Sequence, residues 1–296
     1  MATEAIDPRY EDLDQWPTAS AIEAMVEGQL AAIASVRPLT GAIAAAAEAA
    51  AARLGSTGRL VYVGAGTSGR IAVQDGVELY PTFNWLPARV HFLMAGGLRA
   101  LTEAVEGAED DAEAGAQASR DAQLAPADVV FGLAASGRTP FTVAALQAAR
   151  ASGALTIGIA NNPATPLLDA VEHPLVADTG PEIVAGSTRM KAGTAQKAIL
   201  NLLSTAIMLR MGLIYRGRMV NMRVSNAKLR IRAQRMVADL AQVDLGAAGA
   251  ALERGDHDIK TGVLIASGAD VDEARALLSA NNANLRAALL AWCGAE

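Results

Sequence analysis

The stretch Arg59-Leu60-Val61-Tyr62-Val63-Gly64-Ala65-Gly66-Thr67-Ser68-Gly69-Arg70 decides the fold. Its apolar first half, closed by glycine, reads as a short buried strand of a parallel sheet. Its second half reads as a glycine-rich turn entering a helix, where unpaired backbone N–H groups face an anion and hydroxyls add donors. The pattern recurs: Asp128-Val129-Val130-Phe131-Gly132-Leu133-Ala134 runs into Ala135-Ser136-Gly137-Arg138-Thr139-Pro140. One such turn is weak evidence of a site. Two, each following a strand and sharing Ser, Thr, Gly and Arg, point to one phosphorylated ligand held on one sheet.

Working outward, Val90-His91-Phe92-Leu93-Met94-Ala95 reads as a second strand and Leu155-Thr156-Ile157-Gly158-Ile159-Ala160 as another. His173-Pro174-Leu175-Val176-Ala177 reads as a short last one. Between them lie helices: one from the first loop to about Leu79, an acidic, alanine-rich one over Leu98 to Gln123, and one over 141–151. Upstream, Ile22, Met25, Val26, Leu30, Ile33 and Val36 recur at helical spacing, with Pro38 and Gly41 splitting 18–53 into two helices. Strands alternating with helices indicate an α/β, doubly wound parallel sheet, whose ligands bind beyond the carboxyl ends of the strands. Downstream, a long apolar helix spans 193–211 and a one-sidedly basic one spans 224–243. The expected division is a polar strap at 1–18, a sheet domain at 19–243 and a small helical subdomain at 244–296. The strap would be disordered alone, or would order against a partner subunit.

Composition bounds the partners. Of 296 residues 52% are hydrophobic but only 4% aromatic, so the core rests on Ala, Val, Leu and Ile. A formal charge of −6 gives no ground for a nucleic-acid surface, and the basic segment Arg216 to Arg235 reads as a solvated helix face. The single cysteine, Cys293, forms no intrachain disulfide. The first residues show no apolar signal core, and the small-apolar run Ala42 to Ala52 contains Glu48 and is too short for a bilayer. The expectation is a cytoplasmic protein with no membrane and no nucleic-acid partner.

His91, His173 and His257 have no partners at ligand spacing, so no metal is expected. With no neighbouring histidine base, Ser68 and Ser136 read as phosphate or hydroxyl contacts rather than nucleophiles. A third segment, Gly180-Pro181-Glu182-Ile183-Val184-Ala185-Gly186-Ser187-Thr188-Arg189-Met190-Lys191-Ala192-Gly193-Thr194, brings Ser187, Thr188, Arg189 and Lys191 to the start of the 193–211 helix. A helix N-terminus of that make-up reads as an anion site by dipole and by charge. The candidate ligand contacts are Gly66, Thr67, Ser68, Gly69, Ser136, Gly137, Arg138, Thr139, Ser187, Thr188 and Lys191. Carboxylates remain as acid/base groups. Glu106 and Glu109 sit in an acidic run where a solvated surface is the ordinary reading. Glu78 lies among Val77, Leu79, Tyr80 and Phe83, where burial would raise its pKa toward that of a general acid.

Together these segments closely resemble the N-acetylmuramic acid 6-phosphate etherases, within the sugar isomerase (SIS) fold superfamily. The resemblance is carried by Gly58 through Arg70, Ala104 through Asp111, Ala134 through Pro140, Gly186 through Lys197, and Asn226-Ala227-Lys228-Leu229, with Lys260-Thr261 in the tail. It implies a SIS domain with a C-terminal UBA-like helical subdomain. It also implies a lyase cleaving the D-lactyl ether of N-acetylmuramate 6-phosphate, a phosphorylated amino sugar, in cell-wall sugar recycling. It implies no metal or cofactor, Glu78 and Glu109 as the catalytic pair, and a homodimer, for which helices 18–53 and 193–211 offer apolar surface. The sequence departs from the family around Glu78, where Asp75-Gly76-Val77-Glu78-Leu79-Tyr80-Pro81-Thr82 stands for Asp-Ala-Ser-Glu-Cys-Pro-Pro-Thr, and at Asn161, where the family has cysteine. The strap keeps only Thr3-Glu4. Two other functions fit the same loops: a non-catalytic phosphosugar sensor, and an aldose–ketose isomerase using Glu182 as its base. Glu182 therefore joins the candidate substrate contacts.

Overall fold

A computed structural model describes residues 1–294. Five strands form one parallel sheet: β1 (Leu60–Gly64), β2 (Val90–Met94), β3 (Val129–Ala134), β4 (Leu155–Ala160) and β5 (His173–Val176), in the order β2-β1-β3-β4-β5. β1, β3 and β4 are buried along their whole length, which is why they read as unbroken apolar runs rather than alternating ones. The chain order reverses between β1 and β3, so the connections leaving their carboxyl ends diverge and leave a crevice there. Both glycine-serine loops leave from those two ends.

Helices α1 (Thr18–Ala34) and α2 (Thr40–Leu54) are separated by a 3-10 turn at Arg37–Leu39, where Pro38 stops the first. By length and composition Thr18–Leu54 would pass for a membrane span. The break makes it two short helices, and α2 buries Ile43, Ala46, Ala47, Ala50 and Leu54. Helix α3 (Gly66–Phe83) opens in the first loop. A short α4 (Ala112–Asp121), α5 (Pro140–Ala151) and the single turn α6 (Pro166–Asp169) follow, then α7 (Lys191–Arg210). Phe141, Ala145, Leu146 and Ala149 of α5 pack with Val61, Val63 and Val130 on one sheet face. On the other face Tyr62 meets Phe131 edge-on at 5.1 Å between ring centroids, a favoured aromatic geometry.

The Tyr62 hydroxyl donates to Asp75 of α3 (2.9 Å), which also accepts from Asn201 (2.8 Å) and Ser204 (3.1 Å) of α7. Burial raises the Asp75 pKa, with the three donors opposing it, and burial beside that carboxyl raises the Tyr62 phenol well above its ordinary value. The buried carboxyl has a donor for each of its bonds, which is what lets it lie there.

One part of the expected outline is corrected. Leu98 to Gln123 is not one helix: a 3-10 turn covers Leu98–Leu101, turns run to Asp111, and only α4 is helical. Gly107 has φ +73°, which a continuing helix does not allow, and the Asp111 carboxylate caps α4 by accepting from the Ala114 N–H (2.9 Å). The acidic run therefore forms an irregular loop.

The chain divides into two compact units, Met1–Val77 with Pro87–Ala206, and Glu78–Leu86 with Ile207 onward. The second unit thus takes in the helix Ala227–Ala241 as well as the segment from 244 expected as a helical subdomain, and the strap belongs to the first unit. In the second unit α8 (Ala227–Ala241), α9 (Leu245–Arg254), α10 (Ile259–Ala266), α11 (Val271–Ala280) and α12 (Leu285–Cys293) surround a core of Val237, Leu252, Val263, Leu264 and Leu285. Each is capped by an Asn or Asp, namely Asn226, Asp244, Asp258, Asp270 and Asn284, whose side chain accepts from an N–H of the first turn.

Candidate functional site

The first loop is shaped by close approach. A Cβ on Gly69 would stand 2.9 Å from the Gly64 carbonyl and 2.3 Å from the Met94 sulfur, so α3 can begin this near β1 only with glycine there. The first turn of α3 leaves the N–H groups of Gly66, Thr67 and Ser68 without helical partners. The second loop lies beside it because β3 pairs with β1. The Ser136 Oγ accepts from the Arg138 N–H (3.1 Å), and Gly137 is packed against Thr165.

The two loops enclose a cavity of about 310 Å3 lined by Glu4, Ala65, Gly66, Thr67, Ser68, Glu109, Asp110, Ala135, Ser136, Arg138, Thr139, Pro140 and Thr188. Five hydroxyls and a helix N-terminus suit an anion; three carboxylates stand on the same wall system. Of the residues expected from the sequence, Gly66, Thr67, Ser68, Ser136, Arg138, Thr139, Thr188 and Glu109 line it. Glu109 is exposed, and its main-chain carbonyl accepts from the Phe141 N–H (3.1 Å), which ties the acidic loop to the first turn of α5.

The other expected residues have different neighbours. Gly69 and Gly137 lie behind the loops as packing positions. Arg70, next in the first loop and not among the candidate contacts, donates to the Ala100 carbonyl (3.0 Å) and the Glu103 carbonyl (3.0 Å), and so pins the 98–103 turn. Ser187 is half-buried, its N–H donating to the Val184 carbonyl. The start of α7 is not an open anion site. The fully buried Glu182 already fills it, its Oε2 accepting from the Lys191 N–H (2.9 Å) and its Oε1 from the Ala192 N–H (2.9 Å). A carboxylate from the same chain satisfies both the dipole and the orphan donors. Lys191 Nζ donates to the Pro181 carbonyl (2.9 Å).

Glu78 belongs to the second unit. It is exposed, as is Val77, while Leu79 is buried, so its apolar sequence neighbours do not enclose it. Among the described residues no group of three His, Cys, Asp or Glu side chains is arranged to hold a metal ion. Sequence reasoning missed Glu4 and Asp110 in the cavity wall. For Glu4 the only signal was the retained Thr3-Glu4 pair.

Comparison with known proteins gives the family. A model described as the glucokinase regulatory protein N-terminal SIS domain matches residues 42–150, and the SIS domain model matches 104–206. The chain is 49% identical over 263 residues to the N-acetylmuramic acid 6-phosphate etherase of Deinococcus radiodurans, covering 89% of this chain and 86% of that one. This chain is a member of the N-acetylmuramic acid 6-phosphate etherase family. The etherase of Rubrobacter xylanophilus is 44% identical over 290 residues, covering 98% and 96% of the two chains. A crystal structure of a proposed phosphosugar isomerase of capsule formation from Bacteroides fragilis shares the fold, with a TM-score of 0.53 and 21% identity over 68% of this chain and 95% of that one.

Two departures from the etherase pattern have structural neighbours that explain them. At Gly76 a Cβ would stand 2.5 Å from the Phe92 ring and 2.9 Å from that of Tyr62, so the rings fill the space an alanine would take. Asn161, fully buried, donates to the Ala177 carbonyl (3.0 Å) and accepts from Gln196 (3.0 Å), a polar bridge that uses one side-chain amide as both donor and acceptor.

Proposed function

We propose that this chain is a carbon–oxygen lyase that removes D-lactate from N-acetylmuramic acid 6-phosphate, giving N-acetylglucosamine 6-phosphate in cell-wall sugar recycling. The observation that carries the reading is the cavity that gathers both serine loops and Glu109 in a chain 49% identical to a named etherase. The phosphate would lie against the free N–H groups of Gly66–Ser68 and the hydroxyls of Ser68, Ser136 and Thr139. Ether loss at the third carbon needs removal of the acidic proton at the second carbon, beside the aldehyde of the open-chain sugar. The lactyl oxygen leaves as it is protonated, and water then adds at the third carbon. Glu109 is assigned the carbon-bound proton. Glu78 is assigned the proton given to the leaving oxygen, on the strength of the family resemblance. The experiment is direct: purified protein with N-acetylmuramic acid 6-phosphate should release D-lactate and N-acetylglucosamine 6-phosphate in equal amounts. Binding without release would favour a sensor, the reading suggested by the regulatory-protein model match. The isomerase reading loses support because both oxygens of Glu182 are engaged with α7.

The active form is proposed to be a cytoplasmic homodimer. Ile22, Val26, Leu30 and Ile33 form a stripe along α1, each about half exposed or more, as a self-complementary contact would require. Light scattering at micromolar concentration should give twice the chain mass; a fully active monomer would contradict this.

A further inference from the structure

The first turn of the chain ends in the cavity. Ala2–Glu4 form a 3-10 turn, and Thr3 within it is fully buried. Asn162 Nδ2 donates both to the Thr3 hydroxyl (3.0 Å) and to the Ala135 carbonyl (2.9 Å), directly before Ser136. The Gly186 N–H donates to the Thr3 carbonyl (3.2 Å). One buried amide thus joins the strap to the second loop, and a second contact joins it to the segment carrying Thr188. Glu4, next along, reaches the cavity wall with its side chain exposed. Gly186, with φ +74°, lies against this carboxylate: a Cβ there would stand 3.1 Å from Glu4 Oε2. Among the described residues no ion pair neutralises it.

We propose that Glu4 is a substrate-contacting, specificity-determining residue that accepts hydrogen bonds from the neutral donors of the sugar, its hydroxyl and acetamido N–H groups. The proposal rests on reading the cavity as a phosphorylated amino-sugar site. A carboxylate repels a phosphate and favours uncharged donors, so Glu4 with Glu109 and Asp110 sets the ligand's direction: phosphate on the loop amides and hydroxyls, sugar ring toward the acids. The Thr3–Asn162 contact is the positioning device that fixes the carboxylate relative to Ser136.

The test is calorimetric binding of N-acetylglucosamine 6-phosphate and of inorganic phosphate to the wild-type protein, to Glu4→Ala and to Thr3→Val. Glu4→Ala should weaken the sugar phosphate about tenfold or more while inorganic phosphate stays within about twofold. Thr3→Val should move in the same direction. Unchanged sugar-phosphate affinity in Glu4→Ala, or equal weakening of both ligands, would overturn the proposal. Wild-type protein that binds this sugar phosphate but releases no lactate from N-acetylmuramic acid 6-phosphate would overturn the lyase reading alone, leaving the Glu4 comparison to stand on its own result. Wild-type protein that binds no sugar phosphate would overturn both.

Discussion

The main-chain carbonyl of Glu109 accepts a 3.1 Å hydrogen bond from the N–H of Phe141, so the acidic loop is registered on the helix that starts in the second glycine-serine loop. The register depends on close packing of α4 against α5. A Cβ on Gly115 would stand 2.1 Å from the Phe141 carbonyl oxygen. Gly115→Ala should cost about 1–3 kcal/mol through overpacking and move Glu109 relative to Ser136. Turnover should fall about tenfold or more with phosphate affinity retained, as read by steady-state kinetics with inorganic phosphate as a competitive inhibitor. Wild-type kcat in this variant would detach Glu109 from the α4–α5 contact.

Ser136 tests the loop pair. Each hydrogen bond to a charged phosphate contributes about 1.5–3 kcal/mol, so Ser136→Ala should weaken sugar-phosphate binding about tenfold or more. An unchanged affinity would remove the second loop from the site.

Glu182 separates a capping carboxylate from a catalytic one. Glu182→Gln leaves one acceptor and turns an amide donor toward a helix N–H, a loss of about 1–3 kcal/mol in stability by denaturant titration. Lactate release by the folded variant should stay within a few-fold of wild type. A drop of about 10²-fold with unchanged stability would give Glu182 the proton-transfer role of an isomerase.

Acid stability should report on Asp128. Its carboxylate, almost wholly buried, accepts from the N–H of Arg59 (2.8 Å) and of Ala125 (2.9 Å) and pairs with the Arg59 guanidinium at 2.6 Å. Burial pushes its pKa up, but the Arg59 guanidinium and the two backbone donors outweigh burial and hold it below the usual value. A folded-state pKa below the unfolded value of about 3.9 means stability that is present above that pH and lost as pH falls through the folded pKa. Asp128→Asn should cost about 2–3 kcal/mol at pH 7 and flatten the acid limb of the urea-unfolding profile. An acid limb identical to wild type would contradict this.

The sheet and its two loops were legible because their signals are local: apolar runs ended by glycine, then hydroxyls at a helix start. What escaped depended on residues distant in sequence. The anion-site reading of α7 was sound chemistry, but Glu182, nine positions earlier, supplies the anion. Alanine content suggested a helix through the acidic run until the left-handed Gly107 and the Asp111 cap intervened. Glu78 has apolar neighbours in sequence, yet helix periodicity turns it outward while Leu79 turns inward. Glu4 reaches the cavity through Asn162, more than half the chain away.

The central claim, ether elimination assisted by Glu109 in this cavity, is tested most directly by turnover of N-acetylmuramic acid 6-phosphate in heavy water, followed by NMR or mass spectrometry of the product. Loss and return of the proton at the second carbon predict one deuterium there, with Glu109→Gln slowed about 10²-fold or more while its phosphate affinity is unchanged. Product without deuterium at the second carbon, or wild-type turnover by Glu109→Gln, would contradict the account.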